Sequence, residues 1–249
     1  MTLTFSVRRA IVTGGAHGIG CAIAFRLARE GFSVAILDRD GGRASDVARE
    51  IMGATGTDVL AFACDLIDRG SIEPAVNAAV QELGGLDTLV TNAGVARDAF
   101  AHKLTDEAWD EVLAVHLTGT FACVRAGAPF LRADGPGRII TVSSISAAMG
   151  NLGQANYTAA KGGIVSLTKT LALEFARTGT TVNCIRPGFI DTDMTRNMPV
   201  DARERLVATI PLQRAGLPED IAGAVAFLCS DDASFITGAT LDINGGSYM

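Results

Sequence analysis

RAIVTGGAHGIG, residues 9–20, decides how the rest of the chain is read. A short apolar run, Ala10–Thr13, enters a turn built from Gly14, Gly15, Ala16, His17, Gly18, Ile19 and Gly20. A helix-period segment, Ile19–Glu30, follows at once. Glycines suit such a turn because the backbone must reverse tightly and come close to a ligand. The helix behind it offers unpaired N–H groups and a positive dipole end to phosphates. A glycine pattern between a strand and a helix therefore predicts a dinucleotide cradle, whereas the same glycines elsewhere would predict only a turn. The second apolar run ends in Ile36-Leu37-Asp38-Arg39. A carboxylate there accepts both ribose hydroxyls and repels a 2′-phosphate, so Asp38 predicts NAD rather than NADP. Arg39 works in the opposite direction, and an ordinary solvated turn carboxylate is the alternative for Asp38.

Outward from this unit the alternation continues. Strands are predicted at Ala10–Thr13, Ser33–Leu37, Val59–Ala63, Thr88–Thr91, Arg138–Val142, Thr181–Ile185 and Thr240–Ile243. Helices are predicted at Ile19–Glu30, Arg43–Met52, Ile72–Leu83, Asp106–Leu131, Tyr157–Arg177 and Glu219–Ser230. Continuous Val/Ile/Leu strands, rather than alternating ones, indicate a sheet buried on both faces. The expected architecture is α/β: a single Rossmann-type doubly wound domain over residues 1–249, its seven-stranded sheet mostly parallel with helices on both faces. Residues 189–208 break the rhythm and are expected to form a substrate lid.

Composition narrows the function. The 249 residues are 48% hydrophobic and 19% charged, enough for a large core. A net charge of −6 with no basic cluster beyond Arg8-Arg9 excludes a nucleic-acid surface. No apolar run approaches the roughly 18 residues of a membrane span, and MTLTFSVRRAIVTGG lacks the marks of a secretory signal. The five cysteines, Cys21, Cys64, Cys123, Cys184 and Cys229, are far apart and read as small buried hydrophobes, which points to the cytoplasm. No metal site is expected.

Tyr157 and Lys161 stand four apart at the start of a predicted helix and so share a face. A tyrosine is a poor base at neutral pH. An ammonium a few ångströms away stabilises its phenolate and lets it exchange a proton with an alcohol or ketone. Ser144, thirteen residues earlier, ends the strand GRIITVSS, where its hydroxyl can donate to a carbonyl oxygen gaining negative charge. Its neighbour Ser143 competes for that role.

These residues together resemble the short-chain dehydrogenase/reductase family. The TGxxxGxG spacing of Thr13, Gly14, Gly18 and Gly20 is similar to the family fingerprint. Cys64-Asp65-Leu66 resembles its adenine-holding strand end, with Asp65 and Leu66 as contacts, and Asn92-Ala93-Gly94 its NAG element. Pro187-Gly188-Phe189-Ile190-Asp191-Thr192 resembles the segment that meets the nicotinamide. The resemblance implies a cofactor site that includes Gly14, His17, Gly18, Ile19, Gly20, Asp38, Arg39, Tyr157, Lys161, Pro187, Gly188, Ile190 and Thr192, with catalysis by Ser144, Tyr157 and Lys161. The family usually has asparagine where this chain has His116. A proton-relay role and a buried histidine that satisfies a backbone group both stay open there.

Longer stretches, NAGVARD (residues 92–98), GNLGQANYTAAK (150–161) and PGFIDTDMT (187–195), resemble the 3-oxoacyl-[acyl-carrier-protein] reductase branch and its acetoacetyl-CoA-reducing relatives. The substrate implied is an acyl thioester, with an alcohol or ketone as the alternative. Carrier-docking reductases place basic residues where this chain has Gly135 and Thr178, with Arg132 and Arg177 displaced and Asp134 adding negative charge. A sugar or polyol dehydrogenase is thus the second reading, and a non-catalytic nucleotide-binding regulatory protein the third. An apolar wall from Phe189, Met194, Met198 and Leu206, and a homotetramer built on the long helices and last strand, complete the expectations.

Overall fold

The structure is a computed structural model that describes residues 8–131, 135–196 and 198–249. Its strands are β1 (Arg8–Thr13), β2 (Phe32–Asp38), β3 (Val59–Ala63), β4 (Thr88–Thr91), β5 (Arg138–Val142), β6 (Thr181–Pro187) and β7 (Thr240–Ile243). They form one sheet in the order β3-β2-β1-β4-β5-β6-β7, and every neighbouring pair is parallel. The helices are α1 (Gly18–Arg29), α2 (Gly41–Thr55), α3 (Arg69–Leu83), α4 (Asp106–Leu113), α5 (Gly119–Leu131), α6 (Ser146–Met149), α7 (Ala155–Phe175), α8 (Asp193–Arg196), α9 (Val200–Ala208) and α10 (Pro218–Cys229).

Both faces of the sheet are buried, as the unbroken apolar strands require. Ala10, Val12, Val34, Ile36, Ile140 and Ile185 join one cluster with residues of α1, α2 and α10. Ile11, Ala35, Leu37, Leu89, Ile139 and Val182 join a second with α3, α5 and α7. Successive side chains point to opposite faces, so the alternate residues of one apolar run fill both layers. The thiols of Cys123 and Cys229 are fully buried in these layers, which pushes both up to about 12; Cys64 and Cys184 are buried and Cys21 half-buried.

Connections from β1 run outward in both directions, so the loops after β1 and β4 part at the carboxyl edge and leave a crevice. Register brings those edges level: Thr13 lies opposite both Leu37 and Thr91, and Val142 opposite Ile185.

The expected helix over Asp106–Leu131 is helical throughout, but not α-helical throughout. Residues Ala114–Thr118 form a π-turn between α4 and α5, closed by the Gly119 N–H donating to the Ala114 carbonyl. One extra residue in the turn swings His116 inward, where it is only 2% exposed. Such bulges concentrate at functional sites because they re-aim a side chain without ending the helix. The 189–208 segment carries the short helices α8 and α9. Arg132, Asp134, Asn197 and the Met194 side chain lie outside the described residues. No helix among the described residues is long and apolar enough to cross a membrane.

Candidate active site

One cleft of about 390 Å³ opens at the carboxyl edge. It is bordered by the predicted Gly14, His17, Gly18, Ile19, Asp38, Arg39, Asp65, Leu66, Asn92, Ala93, Gly94, His116, Ser144, Tyr157, Lys161, Pro187, Gly188, Ile190 and Thr192. Residues separated by much of the chain thus meet because seven strands end together.

The glycine loop is shaped by contact as well as by backbone angle. Gly14 has φ +65°, and a Cβ on it would lie 2.6 Å from the Ala93 Cα. Only a glycine lets the loop after β1 sit against the loop after β4 there. Gly20 does not border the cleft. A Cβ on it would lie 2.1 Å from the Gly14 carbonyl oxygen, so it serves the packing of α1 against the loop rather than a ligand contact. Asn92 has a similar role: its side-chain amide donates to the Thr13 and Gly14 carbonyls, each at 3.2 Å. The Thr13 hydroxyl in turn accepts from the Asn92 and Ala93 N–H groups.

The residues present fit a dinucleotide. Side chains cap α2, α3 and α4 through Asp40, Asp68 and Thr105, but α1 has no side-chain cap at His17 and no acidic residue in its first turn. Its N–H groups and positive end are left to the cleft, as an anion requires. Asp38 accepts from the Ala16 N–H with Oδ2 and from the Asp40 N–H with Oδ1, both at 3.0 Å. The carboxylate therefore also holds the glycine loop to the end of β2.

On the opposite wall, α7 begins at Ala155, two residues earlier than expected, so Tyr157 falls in its first turn and Lys161 one turn later. The Lys161 ammonium donates to the Val142 carbonyl at 2.7 Å and lies 5.6 Å from the centroid of the Tyr157 ring. Burial pulls this lysine down to about 8. Burial also pushes the Tyr157 phenol up, against a hydrogen bond with Ser144 and with help from the Asp98 charge. The expected lowering by Lys161 is not seen in this state. The ammonium sits by the ring and is turned to a carbonyl, while desolvation of a phenolate is costly. Ser143 and Ser144 separate by partner: Ser143 donates to the Lys161 carbonyl at 2.8 Å, whereas Ser144 Oγ accepts from the Ser146 N–H at 3.2 Å and donates to the Ser146 hydroxyl at 3.3 Å.

His116 stands edge-on to Tyr157, with centroids 5.2 Å apart and planes at 85°. Its Nε2 lies 3.1 Å from the Val95 nitrogen and 2.8 Å from the Val95 oxygen, so it accepts from one or donates to the other according to tautomer. Nδ1 is buried without a partner among the described residues. Burial, with the Lys161 charge adding to it, pushes His116 down to about 3 against the hydrogen bond to Val95. The ring is therefore neutral at physiological pH.

The sequence reading missed Val95, Val115, Val142, Asp193 and Thr195, which also border the cleft. Strand-end position could have found Val142; Val115 follows from the π-turn, Asp193 and Thr195 from the placement of α8, and Val95 from the fold of a loop. Of the proposed apolar wall, Phe189, Met198 and Leu206 do not border this cleft, and Met198 borders a second one.

Known proteins are similar to this chain along nearly its whole length. The family whose model is described as enoyl-(acyl carrier protein) reductase matches residues 14–248. The 3-oxoacyl-[acyl-carrier-protein] reductase FabG of Staphylococcus aureus strain N315 is 40% identical over 242 residues, 97% of this chain and 98% of its own. That of Escherichia coli strain K12 is 41% identical over 247 residues, covering 99% of this chain and all of its own. A crystal structure of a putative short-chain alcohol dehydrogenase from Sinorhizobium meliloti 1021 superposes with a TM-score of 0.93 at 35% identity, covering 98% of this chain and 97% of its own.

Proposed function

The chain belongs to the short-chain dehydrogenase/reductase family, a nicotinamide-dependent oxidoreductase acting on a CH–OH or keto group, and on that premise we propose that it interconverts 3-oxoacyl and (3R)-hydroxyacyl thioesters using NAD(H). The observation that carries this reading is the meeting of Ser144, Tyr157 and Lys161 at one wall of a cleft whose other wall is the uncapped glycine loop. Near-full-length similarity to reductases named for 3-oxoacyl substrates supports the thioester.

A bound dihydronicotinamide supplies the hydride. Tyr157 supplies the proton: its phenol, held neutral by burial, gives it to the substrate oxygen as the carbonyl carbon is reduced. Ser144 donates a hydrogen bond to the same oxygen while its charge grows. The Lys161 ammonium stabilises the phenolate left behind, and in the reverse direction that phenolate takes the alcohol proton. His116 is a neutral wall beside Tyr157 rather than a group that changes charge. Asp38 supports NAD over NADP, since its carboxylate at the end of β2 opposes a 2′-phosphate.

A CoA thioester fits the surface better than a carrier-linked one. Gly135 and Thr178 bring no positive charge, and the Thr178 hydroxyl is committed to the Phe175 carbonyl. The net charge of −6 does not attract an acidic carrier. Residues 189–208 act as the lid of this one domain, supported by Ile190, Thr192, Asp193 and Thr195 on the cleft rim. A homotetramer is supported by apolar side chains left bare on α5, α7, β7 and the preceding loop, Phe121, Leu173, Leu241 and Phe235. The second reading, oxidation of an unlinked secondary alcohol, is supported by the Sinorhizobium meliloti neighbour.

The test is a screen with both cofactors against acetoacetyl-CoA, carrier-linked acetoacetyl groups, and simple alcohols and polyols. NADH-dependent reduction of acetoacetyl-CoA is expected to lead. Turnover confined to unlinked alcohols would replace the thioester reading with the second.

A further inference from the structure

Residues 92–99 follow β4; residues 92–95 border the cleft, and four bonds hold this stretch on its α7 side. Val95 meets His116 Nε2. The Arg97 carbonyl accepts from the Asn156 amide at 3.0 Å. Asp98 Oδ2 accepts from Gln154 Nε2 at 2.9 Å, and the Ala99 N–H donates to the Gly153 carbonyl at 2.8 Å. Asn156 is the one with no exposed surface at all. Its second amide hydrogen goes to the Ala108 carbonyl on α4 at 3.0 Å, and its Oδ1 accepts the Tyr157 N–H at 2.8 Å.

Every hydrogen of that amide is used, and its orientation has one solution. Flipping it would set an oxygen against two carbonyl oxygens and an NH₂ against an N–H. The Tyr157 N–H lies in the first turn of α7, where no intrahelical acceptor exists. One buried side chain therefore ties the proton-transfer residue to the cofactor-side wall and to α4.

We propose that Asn156 is a positioning residue for proton transfer by Tyr157, fixing the first turn of α7 against the wall of residues 92–99. It touches neither substrate nor cofactor and acts through Tyr157. The inference rests on the reading of Tyr157 as the acid/base.

Only two tyrosines occur, Tyr157 and Tyr248, so in a Tyr248→Phe background the ultraviolet phenolate signal reports Tyr157 alone. In that background, Asn156→Ala should lower kcat for acetoacetyl-CoA reduction by about 10- to 100-fold, the scale of a small misplacement. NADH affinity, read by its fluorescence, should stay within about threefold, because an interaction made only at the reacting centre is lost. The phenolate midpoint should shift, because a ring no longer held through its N–H changes both its burial and its distance from the Lys161 charge. Asn156→Ser, which keeps an acceptor for the Tyr157 N–H, should recover part of both, and it decides the matter if the alanine variant does not fold. An unchanged kcat and midpoint in a folded variant would overturn the proposal, as would kcat and NADH affinity falling together. If acetoacetyl-CoA is not a substrate, the midpoint alone decides. Turnover retained by Tyr157→Phe would instead remove the acid/base reading itself.

Discussion

Gly94 and His116 interlock: a Cβ on Gly94 would lie 2.4 Å from the His116 Cε1 and 3.1 Å from Nδ1. The glycine after Asn92-Ala93 and the histidine of the π-turn thus occupy one another's space, and the ring is pressed between Gly94 and Tyr157. The unusual residue at position 116 is accommodated by a backbone without a side chain, not by a cavity.

Gly94→Ala should therefore destabilise the protein by about 1–3 kcal/mol through overpacking, since the Gly94 backbone itself needs no positive φ. Adding His116→Asn should return most of that loss, because the clashing ring atoms go. Denaturant unfolding of the two single variants and the double variant measures the coupling. Equal losses from Gly94→Ala in both backgrounds would show that the two residues do not compete for space.

His116 also makes stability depend on acid. Its folded pKa, about 3, is below the ordinary 6.5, so above pH 6.5 it is neutral in both states and contributes nothing. As pH falls from 6.5 towards 3, the unfolded chain takes a proton that the folded chain refuses, and stability is lost. Between pH 7 and 5, the wild type should lose about 2 kcal/mol more than His116→Asn. Parallel stability curves would contradict the buried neutral ring. The variant should keep or raise its turnover; complete loss would give the histidine a chemical task of its own.

Tyr157→Phe should lower turnover by about 10²- to 10⁴-fold, the range of a lost general acid. NAD(H) binding should change little, because the glycine loop, Asp38 and Lys161 all remain. Rates and NADH fluorescence titration separate the two. A variant that still turns over would transfer the proton role to another group.

Asp38→Ala should lower the ratio of kcat/KM with NAD to that with NADP by about 10- to 100-fold, the worth of a charged hydrogen-bonding group. Because the same carboxylate holds the Ala16 N–H, efficiency with both cofactors should also fall. Only the ratio tests discrimination, and an unchanged ratio would leave Asp38 as a loop anchor alone.

Seven apolar runs, with a helix-period segment between each and the next, were enough to determine a doubly wound parallel sheet, because burial of both faces leaves few other arrangements. The glycine loop, Tyr157 and Lys161 were legible for a related reason: a strained turn and a four-residue spacing are local properties that sequence encodes directly. What lay beyond sequence was which side chains face the cleft and which hold the backbone. Gly20 braces the loop away from the cleft, and Asn92 braces it while also bordering the cleft. Ser143 and Ser144 are adjacent and alike, and only their partners tell them apart. The π-turn at Ala114–Thr118 left no periodicity to detect, yet it alone brings His116 into contact with Gly94 and Tyr157. Asn156 lies in the stretch GNLGQANYTAAK, but nothing in that stretch names its three partners, which come from α4, α7 and the segment after β4. Local propensity sets elements, but a hydrogen bond between distant segments exists only once packing has brought its donor and acceptor together.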